Sequence, residues 1–119
     1  MDNIVEKKSK TFALSIIRLY KFLVNEKKEY VLSKQILRSG TSIGANVREA
    51  LCAQSRKDFL AKMFISYKES NETLYWLELL EESNYISYET FNSLYSDAKE
   101  LTRILNSIIF STKRSLIDN

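Results

Sequence analysis

Apolar residues recur at intervals of three and four along four segments of the chain, which is the spacing of amphipathic helices. The first segment covers residues 3–26, with a seam of Ala13, Ile16, Tyr20, Leu23 and Lys27 flanked by Phe12 and Leu19. The second seam is Ile36, Gly40, Ile43, Val47 and Ala50. The third is Phe59, Met63, Tyr67, Ser70, Leu74 and Leu77, and the fourth is Phe91, Leu94, Ala98, Leu101, Leu105, Ile108 and Thr112.

Serine residues mark where three of the predicted helices begin. Ser33 precedes the second helix, Ser55 the third and Ser87 the fourth, and an N-cap serine accepts a hydrogen bond from the first turn. The third helix is predicted to end close to the polar run 81–84. Four amphipathic helices of roughly 20 to 28 residues with short links favour an all-α, up-down-up-down four-helix bundle. One domain over residues 1–119 is expected, and the bundle is expected to be oligomeric.

Both glycines of the chain lie in the middle of the predicted second helix. Gly40 and Gly44 each cost about 0.5–1 kcal/mol there relative to alanine. They belong to a run of small residues over 40–45, and small side chains let a neighbouring helix approach closely. We therefore expect tight helix packing at this segment.

A polar stripe runs beside the apolar seam of the second helix. It consists of Gln35, Ser39, Ser42, Asn46 and Glu49. One interpretation is a structural hydrogen-bond network in which Glu49 pairs with an arginine or lysine of a neighbouring helix or subunit, because an unpaired buried carboxylate is costly. The other is a ligand site that combines Asn46 and Glu49 with Glu69 or Glu72. The di-metal sites of such bundles use histidine, however, and the chain has none.

The composition excludes several kinds of chemistry. Among 119 residues there is no proline and no histidine, and Cys52 is the single cysteine. Turn-rich β folds, histidine acid–base catalysis, Cys/His zinc sites and an intramolecular disulfide are therefore disfavoured. We expect no enzymatic activity, cofactor, metal or small-molecule substrate. No segment resembles a membrane span or a secretory signal, so we expect a cytoplasmic protein without a membrane partner.

Positive charge is concentrated in the first part of the chain. The net charge is +3, but residues 1–68 contain 14 lysines and arginines against 6 acidic residues, whereas residues 69–119 contain 4 against 9. Such asymmetry is typical of a surface that attracts a phosphate backbone. It is equally typical of helices or subunits that meet with complementary charge.

Two adjacent aromatic residues on the third helix, Tyr75 and Trp76, are a second candidate for nucleic-acid contact. Aromatic side chains stack on nucleic-acid bases, with about 1–3 kcal/mol per base. In helical bundles, however, such a pair more often belongs to the core or to a subunit interface. Both interpretations remain open from the sequence.

The run 35–50 resembles the signature of four-helix-bundle proteins encoded in intervening sequences of 23S ribosomal RNA genes. The similarity also includes Asp58, Phe59, Glu69, Glu72, Tyr75, Trp76 and Leu77, and it extends over nearly the whole chain. The resemblance implies a small bacterial bundle that assembles as a homopentamer. Related bundles are accessory proteins of diversity-generating retroelements, where a basic barrel engages nucleic acid and a reverse transcriptase. The resemblance also implies structural importance for Ser42, Asn46 and Glu49, and it implies no catalytic residues.

Two functional hypotheses follow. The first is a homo-oligomer, a pentamer if the resemblance holds, that binds structured RNA or DNA mainly through phosphate contacts. The candidate contacts are Lys34, Arg38, Arg48, Arg56 and Lys57. Repetition around a ring would multiply the weak affinity of one subunit. The alternative is a protein-interaction scaffold in which the basic half of one subunit meets the acidic half of another.

Overall fold

The computed structural model describes residues 3–118, and four helices account for most of them. They are α1 (Ile4–Asn25), α2 (Leu32–Leu51), α3 (Arg56–Glu82) and α4 (Tyr88–Asp118). α1 packs against α2 and α4, and α3 packs against the same two helices. Since each short link reverses the chain, neighbouring helices are antiparallel. This confirms the all-α fold with four helices, which form an elongated bundle of 52 × 24 × 21 Å.

The apolar seams form the core of the bundle. All five residues of the seam predicted for α2 are buried. In α4 the buried part of the predicted seam is Leu94, Ala98, Leu101 and Leu105. α3 buries small hydroxyl side chains as well, and those of Ser66 and Thr73 are fully buried. Each of these hydroxyls reaches α2, where Ser66 donates to the carbonyl of Ile43 at 2.8 Å.

The buried side of α1 differs from the predicted seam. Its buried residues are Val5, Ser9, Phe12, Ile16, Leu19 and Leu23. The predicted line through Ala13, Tyr20 and Lys27 is wrong at its end, because α1 stops at Asn25 and Lys27 is exposed in the following loop. There the ammonium group of Lys27 lies 5.8 Å from the centre of the Phe22 ring.

A glutamate, and not the predicted serine, caps the start of α2. Ser33 lies inside the helix, and the N-cap residue Val31 makes no side-chain capping bond. The carboxylate of Glu29 accepts hydrogen bonds from the backbone N–H groups of Ser33 at 2.6 Å, Leu32 at 3.0 Å and Val31 at 3.2 Å. Lys28 has a φ of 54°, and this left-handed residue turns the chain so that Glu29 can fold back. The Ser33 cap prediction is therefore wrong.

The serine caps predicted for the next two helices are confirmed. Ser55 Oγ accepts a hydrogen bond from the N–H of Asp58, and Ser87 Oγ accepts one from the N–H of Thr90, each at 3.1 Å. α3 ends at Glu82, inside the polar run predicted to stop it. Within residues 3–118, none of the helices has an apolar stretch long enough to cross a membrane.

The Glu29 cap predicts a stability loss in acid. Burial raises the pKa of Glu29, but hydrogen bonds from the N–H groups of Leu32, Ser33 and Val31 outweigh it, so the pKa is lowered overall. A carboxylate whose pKa is lower in the folded state stabilises the fold above the unfolded pKa, and this contribution is lost as pH falls through the folded pKa. Chemical denaturation should therefore show a smaller decrease in unfolding free energy from about pH 5 to about pH 3 in E29Q than in wild type. Equal slopes in the two proteins would contradict this role for Glu29.

The two glycines of α2 both face α1. A Cβ atom on Gly40 would lie 2.8 Å from Cγ1 and 2.9 Å from Cγ2 of Ile16. On Gly44 it would lie 3.2 Å from Oγ of Ser9. The tight packing expected from the small residues is therefore present, and it occurs within the chain, between α1 and α2.

Candidate nucleic-acid interface

The five cations predicted to contact nucleic acid do not form one surface. All five are exposed, but Lys34 lies in the first turn of α2 whereas Arg56 and Lys57 begin α3 at the opposite end of the bundle. Arg48 faces α1, where its Nε lies 3.5 Å from the carboxylate of Glu6. Arg56 donates a hydrogen bond to the hydroxyl of Ser115 on α4. The predicted set is thus divided among several helix boundaries.

Arg38 joins α2 to α3 through two carboxylates. Its Nη1 donates to Glu69 at 2.8 Å, and its Nη2 donates to Glu72. The indole N–H of Trp76 donates to the same Glu72 carboxylate at 3.1 Å. The hydrogen bond with Arg38 lowers the pKa of Glu72, and that with Glu72 raises the pKa of Arg38. Both groups therefore stay charged at neutral pH, and both Nη atoms of Arg38 are already bonded to acidic partners.

The polar stripe of α2 lies along its boundary with α3. Two of its members reach α3: Ser39 Oγ accepts a hydrogen bond from Thr73 at 2.9 Å, and Glu49 pairs with Lys62 at 3.1 Å. The Lys62 pair is the kind of partner that the sequence analysis expected for Glu49. Ser42 donates to the carbonyl of Arg38 at 2.6 Å and Asn46 Nδ2 donates to the carbonyl of Ser42 at 2.8 Å, so these two bond within α2. Gln35 is exposed.

The rings of Tyr75 and Trp76 contact each other at an angle. Their ring centres are 5.2 Å apart with planes tilted by 58°. Trp76 is half-buried beside α2 and held by Glu72, whereas Tyr75 is exposed on the other side of α3. The pair therefore does not form one flat platform, and Tyr75 is the more exposed of the two rings.

A row of cations without carboxylate partners lies along the outer surface of α3 and α4. The exposed residues there follow the spacing of one helix side. Successive members are seven, four and seven residues apart on α3, and four, seven and three residues apart on α4. We call this surface the α3–α4 outer face: Lys57, Phe64, Lys68 and Tyr75 of α3, and Lys99, Arg103, Phe110 and Lys113 of α4. None of its five cations forms an ion pair with a described residue.

The acidic residues of the same two segments are directed elsewhere. On α3, Glu69 and Glu72 bind Arg38 of α2. On α4, Glu100 binds Lys8 of α1 at 3.0 Å. These three carboxylates thus pair with one cation of α1 and one of α2, and none of them compensates a cation of the α3–α4 outer face.

A groove opens between the two helices at one end of this face. Lys57 and Lys113 stand on its two sides, and Leu60, Ala61 and Phe64 complete its lining, with a volume of about 330 Å³. Further along α4, the ammonium group of Lys99 lies 5.9 Å from the centre of the Tyr95 ring. Cationic and apolar groups therefore alternate along the face.

The ends of α3 and α4 at the opposite end of the bundle are acidic. The last two turns of α3 and the first turn of α4 contribute Glu78, Glu81, Glu82 and Glu89. Glu78 accepts a hydrogen bond from the hydroxyl of Tyr95 at 2.9 Å, and this bond raises the pKa of Tyr95. Charge is therefore separated along the length of α3 and α4, and not only between the two halves of the sequence.

Only two residues of the α3–α4 outer face, Lys57 and Tyr75, were candidates from the sequence. The regular spacing of the cations was visible in the chain, but the contrast between the two sequence halves obscured the basic segment of α4. A count of charges by helix side would have found Lys99, Arg103 and Lys113.

The chain is similar to proteins of one family. Residues 1–107 match the family model described as 23S rRNA-intervening sequence protein. A crystal structure of a protein of unknown function from the S23 ribosomal protein family of Bacteroides thetaiotaomicron is 59% identical, with a TM-score of 0.88. That match covers 89% of this chain and 98% of the other. No curated protein matches this chain.

The four antiparallel helices make this a small all-α bundle protein, with basic and acidic groups on different parts of its surface. The chain belongs to the 23S rRNA-intervening sequence protein family.

Proposed function

We propose that this protein is a non-catalytic homo-oligomer that binds RNA through phosphate contacts on the α3–α4 outer face. The observation that carries the proposal is that five exposed cations lie together on this face and that none of them has a carboxylate partner among residues 3–118. Phosphate contacts from lysine and arginine supply most of the affinity in sequence-independent binding. RNA is the first ligand to test, because the family description refers to an intervening sequence of 23S rRNA.

The arrangement of ion pairs favours a polyanionic ligand over a merely solvated surface. A surface that serves solubility mixes charges of both signs. Here the carboxylates of Glu69, Glu72 and Glu100 are paired with cations of α1 and α2. The positive potential of the α3–α4 outer face is therefore stronger than the net charge of +3 indicates.

Self-assembly is part of the proposal, with the homopentamer as the expected state. Large apolar or aromatic side chains are exposed near the acidic end of the bundle, at Phe22, Tyr30, Val31 and Tyr88. Contacts between copies there would leave the α3–α4 outer face of each copy accessible. Several such faces in one assembly would raise the affinity for a long RNA by avidity.

Salt dependence tests the proposal. Fluorescence anisotropy with a labelled RNA hairpin should show tight binding at about 50 mM salt and steep weakening by about 200 mM, with a log–log slope of about −3.5 to −4.5 per protomer for five phosphate contacts. Light scattering on the same samples gives the oligomeric state. Absent or salt-insensitive RNA binding would overturn the proposal. An oligomer that dissociates at high salt without binding RNA would instead support an interaction scaffold.

A further inference from the structure

Two phenylalanines are exposed in the middle of the α3–α4 outer face. Phe64 on α3 is 44% exposed and Phe110 on α4 is 62% exposed. Most side chains of this size are buried in a small bundle, because burial of such a ring is worth about 1.5–3 kcal/mol. Both rings therefore keep a large apolar surface open to solvent.

The two rings lie at nearly the same height on adjacent helices. The hydroxyl of Thr102 donates to that of Ser70 at 3.0 Å, which sets the register of α3 against α4. Because the two helices are antiparallel, Phe64, six residues before Ser70, is level with residue 108, six residues after Thr102. Phe110 lies two residues further, which is about 3 Å along the helix axis. Packed helix axes are about 8–10 Å apart, so the two residues occupy neighbouring positions on adjacent helices, and Phe64 also lines the groove.

Phe64 is held in position from within the chain. Its ring stacks on that of half-buried Tyr67, with centres 6.1 Å apart and planes 29° from parallel. One side of the Phe64 ring is therefore supported while the remaining surface is open to a ligand. A supported ring loses little conformational entropy when a ligand stacks on it.

Cations flank these rings on both sides. Lys57 and Lys113 stand at one end, and Lys68 and Arg103 stand at the other, within two turns along their helices. Two surfaces of a second copy of this chain, the same face and α1, fit this surface poorly. The same face of another copy would bring cations against cations, and α1 has five lysines and arginines against one glutamate. A polyanion that carries flat apolar groups can pair with the cations and stack on the two phenylalanine rings.

We propose that Phe64 and Phe110 are stacking platforms for unpaired bases, so that the α3–α4 outer face binds single-stranded RNA in preference to duplex. This inference rests on the proposed RNA-binding function and specifies the strand state of the ligand. In a duplex the base faces are already stacked on one another, whereas a single strand can turn its bases onto the rings while its phosphates meet the lysines.

The test compares a labelled adenine homopolymer with an RNA duplex of equal length. F64A and F110A should each weaken binding of the single strand about 5- to 150-fold and leave duplex binding nearly unchanged. F64W and F110W should retain the affinity, because tryptophan also stacks. L14A is the control: Leu14 is 49% exposed on α1, away from this face, and its removal should leave both affinities unchanged. Thermal unfolding verifies that each variant is folded.

The outcomes separate this inference from the proposed function. If wild type binds RNA with steep salt dependence but the F64A and F110A variants lose nothing on the single strand, the stacking inference fails and the proposed function stands. If these variants change the oligomeric state without changing RNA affinity, the face is an interface between copies and the inference also fails. If wild type binds neither RNA, the proposed function itself is overturned.

Discussion

Replacing Lys57, Arg103 and Lys113 together with glutamine should lower RNA affinity roughly 100- to 1000-fold at about 50 mM salt. Each residue is exposed on the α3–α4 outer face and lacks a carboxylate partner among the described residues, so each substitution removes a phosphate contact without leaving a buried charge. The salt slope should also become less steep by about 2 to 3. Fluorescence anisotropy across a salt series measures both quantities.

The matched control is the replacement of Lys10, Lys21 and Lys34 with glutamine. This variant also loses three positive charges, but from exposed positions on α1 and α2. If the location of the charge matters, the control should keep most of its affinity and nearly the wild-type salt slope. Equal losses in the two triple variants would show that RNA responds to net charge alone, and would exclude a defined binding face.

Gly40→Ala should destabilise the fold by about 1–3 kcal/mol. In an isolated helix the same change would stabilise by about 1 kcal/mol, because alanine is the better helix former. Here the new methyl group would lie 2.8 and 2.9 Å from two carbons of Ile16, which is itself fully buried. Relief requires α1 and α2 to separate. Chemical denaturation gives the loss as a lower midpoint at unchanged slope.

Two further variants make the Gly40 result specific. Ile16→Ala removes both clashing carbons and alone should cost about 2–5 kcal/mol. In the double variant the methyl group at position 40 fills part of that cavity, so the total loss should be smaller than the sum of the two single losses. Gly44→Ala should stay within about 1 kcal/mol of wild type, since its contact with Ser9 is 3.2 Å and includes a rotatable hydroxyl. Additive losses would contradict the steric explanation.

The sequence was sufficient to predict elements that depend on local spacing. The α2 seam and the caps at Ser55 and Ser87 follow from periodicity and from the side chain that precedes each helix. The Ser33 cap failed because a left-handed residue, Lys28, turned Glu29 back onto the helix end. A non-glycine residue in that conformation has no reliable signal in a single sequence.

The binding face was harder to predict because it depends on which helices become neighbours. Arg38 is a suitable phosphate contact in the sequence, but in the bundle α3 brings Glu69 and Glu72 against it. Conversely, Arg103 and Lys113 lie in the acidic half of the sequence, yet Glu100 turns toward Lys8 and leaves them unopposed. The side of a helix that meets opposite charge is decided by packing order, which sequence periodicity alone does not contain.

The separation of charge along α3 and α4 gives the molecule a permanent electric dipole roughly parallel to its longest dimension of 52 Å. At about 0.1 M salt the field of a polyanion decays over about 10 Å, so one end of the bundle enters the field before the other. Near such a polyanion the basic segment would be attracted and Glu78, Glu81, Glu82 and Glu89 would be repelled, and this torque would rotate the protein before contact. Encounters would therefore occur basic end first, in a single polarity, which increases the fraction of productive collisions.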